Sequence, residues 1–340
     1  MATFNRRDFL AASAGIAASA LVPAAVRAQA KTLNLDDLAA KAAAEGEITY
    51  YASTNPELSK RLVTLFNATY PDIKVNIVRL ASGPLGRRFA AEMEAGNAVA
   101  DILQLGDPLL LAEGYKKGWF ASLEDLPAHQ AWPADYKEPY LAVVSLFPHT
   151  ITYNTNLVKG ADVPTSWESI LDPKWRGRVI MADVRNSPSL MEWALHMLDT
   201  YGVDYLHRLA ALQPRIVAST LPGSQMVAAG EAAMVFPNLR MVSYSLIAKG
   251  APLDDVTPSP NSGLESMLAI STKSKRPNAA RLFSSFILSQ AGQEVLSKDT
   301  AASPLPNIPG ALALPQGFRR AHFEEALARA DEVVKPLGLK

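Results

Sequence analysis

Four short loops gather side chains suited to holding a small anion. They read Ala52-Ser53-Thr54-Asn55-Pro56, Ala81-Ser82-Gly83-Pro84, Asp183-Val184-Arg185-Asn186-Ser187-Pro188 and Leu221-Pro222-Gly223-Ser224. Each puts small hydroxyl, amide or glycine residues at a predicted helix start, and Ser187 before Pro188 has the spacing of a cap and first helical residue. Such termini offer unpaired N–H groups and the positive end of the helix dipole to an anion. Arg185 and Arg240 supply charge and fork-shaped donors suited to carboxylate or phosphate. Asp107, before Pro108, reads either as the acceptor for an amine on the ligand or as a helix cap. Asn238 and Asn261-Ser262-Gly263 are weaker candidates at the rim. Each loop alone also reads as an ordinary cap; their recurrence along both halves of the chain is what points to a ligand.

The elements that must position these loops alternate between short β-rich runs and amphipathic helical ones, the pattern of α/β architecture with mostly parallel sheets. Strands are predicted at Glu47 to Tyr51, Asp72 to Leu80 and Asp101 to Leu105, with helices at Pro56 to Tyr70, Pro84 to Ala95 and Pro108 to Lys117. An extended stretch, Leu141 to Asn154, reads as a crossover between two lobes. The second set has strands at Val179 to Met181 and Ala233 to Phe236, and helices at Ser189 to Tyr201, Val203 to Leu212 and Gly223 to Gly230. A strand at Leu264 to Ser271 reads as the return crossover, followed by helices at Asn278 to Ser289 and Phe318 to Val334. Ligands of open α/β sheets sit outside the carboxyl ends of the strands, where these loops fall.

Composition removes several classes of function. The 340 residues carry 33 Lys+Arg and 33 Asp+Glu, a balance unlike the basic excess of a nucleic-acid binder. With no cysteine there is no disulfide, thiolate zinc site or thiol nucleophile. The five histidines show no H-E-x-x-H spacing, and neither G-x-S-x-G nor G-x-x-x-x-G-K-[ST] occurs, so no catalytic residue and no enzyme activity are expected. His149 lies in the crossover, within reach of a ligand, whereas His196 and His207 read as packed or surface residues. No cofactor or resident metal is expected.

Residues 1–30 read as an export signal. Arg6-Arg7-Asp8-Phe9-Leu10 resembles a twin-arginine motif, Ala11 to Val26 is mildly apolar, and Ala28-Gln29-Ala30 is an A-x-A site with cleavage predicted after Ala30. The apolar stretch falls short of the roughly 20 residues that span a bilayer. A periplasmic location is therefore expected.

Four segments carry a likeness to a known family: Ile48 to Val75, ADILQLGD at Ala100 to Asp107, VPTSWESILDPKWRGRV at Val163 to Val179, and GSQMVAAGEAAMVFPN at Gly223 to Asn238. The chain resembles the periplasmic solute-binding proteins of ABC importers, in the branch of ferric-iron, sugar-phosphate, phosphonate, thiamine and polyamine binders. In the third segment Thr165 and Glu168 have capping-box spacing, and Trp167 and Trp175 are expected to fill core. The resemblance implies a two-lobe type II fold, with a cleft between lobes joined by two or three hinge strands. It also implies closure by hinge bending and delivery to an ABC permease and ATPase complex. Residues 31–146 plus 264–305 would form lobe 1, and 147–263 plus 306–340 lobe 2, in a monomer.

The ferric binders of that branch use a histidine in the first loop, a glutamate after the third strand and two adjacent tyrosines in the second lobe. This chain has Asn55, Gly106, Arg240 and Met241 there. Fe(III) favours anionic oxygen donors, and a cation at Arg240 repels it. The expected ligand is a small anionic or zwitterionic organic solute, phosphorylated ones included. It would be held by Ser53, Thr54, Asn55, Ser82, Gly83, Asp107, Arg185, Asn186, Ser187, Ser224, Asn238 and Arg240. Two alternatives stay open at this point: a ferric site with other ligands, such as Asp107 and Tyr244, or a receptor that reports to a signalling partner.

Overall fold

The computed structural model describes residues 33–339. The export segment and its cleavage site lie outside the described residues.

The chain begins with α1 (Leu35–Glu45), where the Asn34 side chain accepts the N–H groups of Asp36 and Asp37. Sequence reasoning starts its elements at Glu47 and misses α1, whose apolar stripe is thin: only Leu38 and Ala42 are buried. Then follow β1 (Glu47–Ala52), α2 (Pro56–Thr69), β2 (Lys74–Arg79), α3 (Ser82–Glu94), β3 (Ile102–Leu105), α4 (Pro108–Lys116), α5 (Pro127–Gln130), β4 (Lys137–Glu138) and β5 (Leu141–Asn154). The second half holds β6 (Val179–Ala182), α6 (Pro188–Tyr201), α7 (Val203–Ala211), β7 (Arg215–Val217), α8 (Thr220–Ala228), β8 (Met234–Leu239), α9 (Arg240–Ile247) and β9 (Leu253–Val256). The chain closes with β10 (Gly263–Ile270), α10 (Pro277–Ile287), α11 (Gln290–Ser297), α12 (Phe323–Ala328) and α13 (Ala330–Val334). No helix among the described residues is long and apolar enough to cross a membrane.

The expected α/β alternation holds, but the pairing is mixed. β1 lies between β2 and β3, parallel to both, while β10 returns antiparallel to β3. In the second half β6 runs parallel to β7 and β8. β5 joins the two sets, and all of its residues are buried. Residues 142–148 pair antiparallel with β10, and 149–154 pair antiparallel with β8 and β9. One continuous strand thus belongs to two sheets, which is the structural form of the predicted crossover.

Each sheet has its own core. Around β1 and α2, Ile48, Tyr50, Leu62 and Phe66 pack with Phe283, and the Phe66 and Phe283 rings meet edge to face at 4.8 Å. Around β6 and α6, Trp167, Trp175, Met181, Trp193 and Phe236 are buried together, with Trp167 and Trp193 at 5.3 Å. The tryptophans fill core as expected, and Trp167 also donates its indole N–H to Pro260 O at 2.8 Å. Edge-to-face pairs add to the burial of rings this size.

Three segments pass between the lobes. β5 does so at Phe147 to His149, the second is the approach to β10 at Asn261 to Gly263, and the third returns through Phe318, which bridges to Asn261. A Cβ on Gly263 would sit on the carbonyl oxygen of Phe147 and 3.0 Å from Pro148 Cα, so the first two segments touch through bare backbone. Past the third segment, α12 and α13 pack on α6.

Several local expectations are corrected. The single helix predicted at Phe318 to Val334 is two short ones, and α11 is an additional helix. The Thr165/Glu168 capping box does not form; Ser169 Oγ accepts the N–H groups of Thr165 and Ser166, and Ser166 Oγ accepts that of Ser169. A two-serine turn serves where a box was read. α8 starts at Thr220, three residues earlier than expected, so Ser224 lies one turn inside the helix and is buried.

Candidate functional site

The predicted loops of the first lobe converge at the carboxyl ends of β1, β2 and β3. Ser53 donates its N–H to Gln104 O at 2.9 Å, which ties the loop after β1 to β3. Ser82 Oγ accepts the Gly106 N–H at 3.1 Å, which ties the start of α3, with Gly83, to the loop after β3. Asn55 caps α2 by accepting the Glu57 N–H at 2.8 Å, and Asp107 caps α4 by accepting that of Leu110 at 3.1 Å. Thr54 is buried, its hydroxyl 2.8 Å from that of Ser59, and its carbonyl accepts Arg79 Nε at 3.3 Å. Of the two readings of Asp107, the cap is the one built.

In the second lobe, Asp183 accepts the Arg185 N–H at 3.0 Å, Nε at 2.9 Å and the terminal NH2 at 2.7 Å. That fork holds the Asp183 carboxyl below its ordinary range and binds the Arg185 charge to its own loop. Asn186 donates to Ala218 O at 3.0 Å. Ser187 stands at the N-cap of α6 with extended backbone, and its side chain makes no capping bond.

The densest polar cluster lies where β5, β8, β9, α8 and α9 meet. Asn238 donates through Nδ2 to Thr152 Oγ1 at 2.6 Å and to Ser224 Oγ at 2.9 Å. Ser224 in turn donates to Thr220 O, and Thr152 donates to Asp255 Oδ1. Both hydroxyl protons are therefore engaged, which fixes the Asn238 amide with Nδ2 toward them and leaves its buried Oδ1 without a protein partner. Asp255 Oδ2 accepts Ser243 Oγ at 2.6 Å and Arg240 at 3.1 Å. Its side chain is 1% exposed, and burial raises its pKa against the opposing bonds from Ser243, Thr152 and Arg240.

Arg240 extends from this cluster across to the first lobe. Its Nε donates to Asp299 O at 2.9 Å, while Tyr244, one turn further along α9, donates its hydroxyl to Asp299 Oδ2 at 3.1 Å. Asp299 follows α11, whose Leu296 belongs to the first core. Of the five N–H donors of a guanidinium, two have protein acceptors in Arg240 and three have none among the described residues, while its carbon lies 6.0 Å from the centroid of the Tyr244 ring.

Two candidates belong elsewhere. His149 is fully buried, its Nε2 3.1 Å from Ser189 Oγ, and burial lowers its pKa to about 3, so it is a packed neutral imidazole rather than a ligand contact. Asn261 is also buried and holds the His149 main chain. Sequence reasoning missed Asp255, Thr152, Ser243 and Asp299. Their only trace is the carboxylate pair Asp254-Asp255 inside a β-type run, one member of which must face inward by strand alternation. Among the described residues no group of three or more His, Asp and Glu is placed to hold a metal ion.

The family model described as bacterial extracellular solute-binding protein matches residues 44–294. An uncharacterized protein of Haemophilus influenzae is 26% identical over 274 residues, 75% of this chain and 76% of that one. Among solved structures, iron-bound HitA from Pseudomonas aeruginosa superposes with a TM-score of 0.68 at 19% identity, covering 86% of this chain and 99% of that one. AfuA from Actinobacillus pleuropneumoniae, with fructose-6-phosphate bound, gives 0.67 at 21% identity, covering 87% and 100%. The substrate-binding protein of an ABC transporter from Agrobacterium tumefaciens gives 0.72 at 14% identity, covering 87% and 96%. At these identities the structures establish a shared two-lobe fold.

Proposed function

The chain belongs to the family of bacterial extracellular solute-binding proteins, and on that premise we propose that it captures a small anionic or zwitterionic organic solute, phosphorylated ones included, and delivers it to an ABC permease. The observation that carries this reading is Arg240. It stands at the carboxyl end of β8, anchored by a buried carboxylate on one side and by Asp299 O on the other, with three donors that have no acceptor among the described residues. A guanidinium held this way offers a planar fork to a carboxylate or phosphate at little further loss of side-chain freedom.

The loops after β1, β2 and β3 supply the opposite wall. Ser53, Asn55, Ser82 and Asp107 hold those loops in register through their own bonds, with Gly83 beside Ser82 in the first turn of α3, so their part is to present backbone N–H groups and helix termini more than free side chains. On the second lobe Asn186 and Ser187 line the start of α6. Asn238 and Ser224 support Arg240 from behind, through Thr152 and Asp255. Arg185 pairs with Asp183 of its own loop as Arg240 does with Asp255, and what sets Arg240 apart is its second anchor on the other lobe at Asp299 O. The relatives of this fold that hold iron and fructose-6-phosphate bracket the choice. A cation at the cleft favours the phosphate-like ligand and opposes Fe(III).

A thermal-shift screen of the purified protein against ferric ion, phosphate esters, phosphonates, carboxylates, thiamine and polyamines tests the reading. A ligand at about 100 times its Kd adds roughly 2.7 kcal/mol of stability. An anion that raises Tm, with the rise lost in Arg240→Ala, supports the proposal. A rise with ferric ion or polyamine alone contradicts it.

A further inference from the structure

Arg240 and Tyr244 leave the second lobe and meet a single residue of the first, Asp299. The main-chain carbonyl of Asp299 accepts Arg240 Nε at 2.9 Å, and its carboxylate accepts the Tyr244 hydroxyl at 3.1 Å. Asp299 itself has a left-handed backbone, with φ of 61°, and its N–H donates to Gly310 O at 2.8 Å. Left-handed backbone disfavours most side chains but is tolerated by Asp, Asn and Gly. In that conformation the residue turns its carbonyl to one partner and its carboxylate to the other.

The geometry points to Asp299 as a positioning residue that seals one edge of the cleft and, by doing so, aims Arg240 at the solute. Both bonds to Asp299 join protein atoms of the two lobes, so they add to whatever a solute contributes to closure. From its own lobe Arg240 is held by Asp255 at NH1, and its guanidinium lies 6.0 Å from the centroid of the Tyr244 ring. The Asp299 carbonyl adds a second anchor at Nε, which fixes the plane of the guanidinium. Arg240 is then fully oriented only when the lobes are together. This couples the presentation of the anion donors to hinge closure.

The proposal rests on the solute-binding reading for the role of Arg240, but its test uses no solute, so the two fail separately. The chain has no cysteine, so Lys60→Cys on α2 and Lys249→Cys beyond α9 accept one dye each. Single-molecule energy transfer then reports the open-to-closed ratio across the seam. Tyr244→Phe and Asp299→Gly remove the same bond from opposite sides, and the glycine keeps the left-handed backbone. Each is expected to raise the ratio about fivefold, the scale of one hydrogen bond to a charged acceptor discounted for partial exposure. The double variant should go no further than either alone, and Asp299→Asn, which keeps an acceptor and the backbone, should return the ratio to within about twofold of the parent. An unchanged ratio in both single variants, additive effects in the double, or a parent protein with no closed population would each overturn the proposal.

Discussion

The side chain of Asn261 holds both main-chain groups of His149, accepting its N–H at 3.0 Å and donating to its carbonyl at 2.8 Å, across 112 residues of sequence. Two of the three segments between the lobes are thereby joined by one amide that mimics a strand partner. Asn261 also donates to Pro258 O at 2.8 Å, and its own carbonyl accepts the Arg319 N–H, which brings in the third segment. All of this is buried, so no water can replace a lost partner. Asn261→Ala should cost about 1 to 3 kcal/mol in denaturant unfolding, from the His149 and Pro258 carbonyls that lose their donor, while the His149 N–H keeps Ser262 O at 3.0 Å. Asn261→Asp, which keeps the acceptor, loses the donor and carries a charge into a buried site, should not recover it.

Gly263 makes the adjoining contact. A Cβ there would collide with the Phe147 carbonyl and press on Pro148, all rigid backbone. Gly263→Ala should therefore destabilise by more than about 2 kcal/mol, whereas Gly230→Ala, at φ of 82° with open space around it, should cost about 1 kcal/mol from backbone conformation alone. Equal losses in chemical denaturation would show that the hinge backbones are free to move apart.

The buried imidazoles set the pH response. His149 has its pKa lowered to about 3 by burial, against an ordinary 6.5, and His196 is lowered to about 4 by burial with Arg319 adding to it. Between pH 6.5 and those values the unfolded chain binds the protons that the native fold refuses, so stability falls as pH falls. From pH 6.5 to 5, His149 alone accounts for about 2 kcal/mol. Glu192 and Asp255, whose pKa values burial raises, act in the opposite sense. Comparison with His149→Asn isolates the term: its unfolding free energy should fall less steeply over this pH window than that of the parent.

Asp255 is the internal support of the binding arginine. Asp255→Asn keeps an acceptor oxygen for Thr152 or for Ser243 but not for both, since they bond Oδ1 and Oδ2, and it removes the charge opposite Arg240. Solute affinity should drop about three- to tenfold in calorimetry through looser placement of the guanidinium, and unfolding should show a loss of stability as well, since a buried donor and Arg240 lose their acceptor. A variant that binds as well as the parent would detach Asp255 from the site.

The alternation of elements was legible because strands and helices of ordinary length carry period-2 and period-3.6 patterns, as at Ile73-Val75-Ile77 and Leu58-Leu62-Leu65-Phe66, although of the latter only Leu62 and Phe66 are buried and Leu65 is 40% exposed. The crossover at Leu141 to Asn154 stood out as one long apolar run, as a strand buried along its whole length should. α1 was not legible, since two buried residues make no periodic signal. The loops around Ser53, Ser82, Asp107 and Ser187 were found through capping chemistry, which is local in sequence. The network from Ser224 through Asn238, Thr152 and Asp255 to Arg240 and Asp299 was found only in part: Ser224, Asn238 and Arg240 stand out by residue type, but Thr152, Asp255 and Asp299 do not, because the members come from five elements and the segment after α11 and meet only when β5 pairs with β8 and β9. Arg185 and His149 show the converse: residue types that suggest a site, engaged by Asp183 and by Ser189 instead.

The central claim is that Arg240 makes this cleft an anion site, and titration calorimetry with the anion that shifts Tm most tests it directly. The account predicts saturable one-to-one binding by the parent and a loss of about tenfold or more in Arg240→Ala. Undiminished affinity in that variant, or binding of ferric ion in place of any anion, would contradict it.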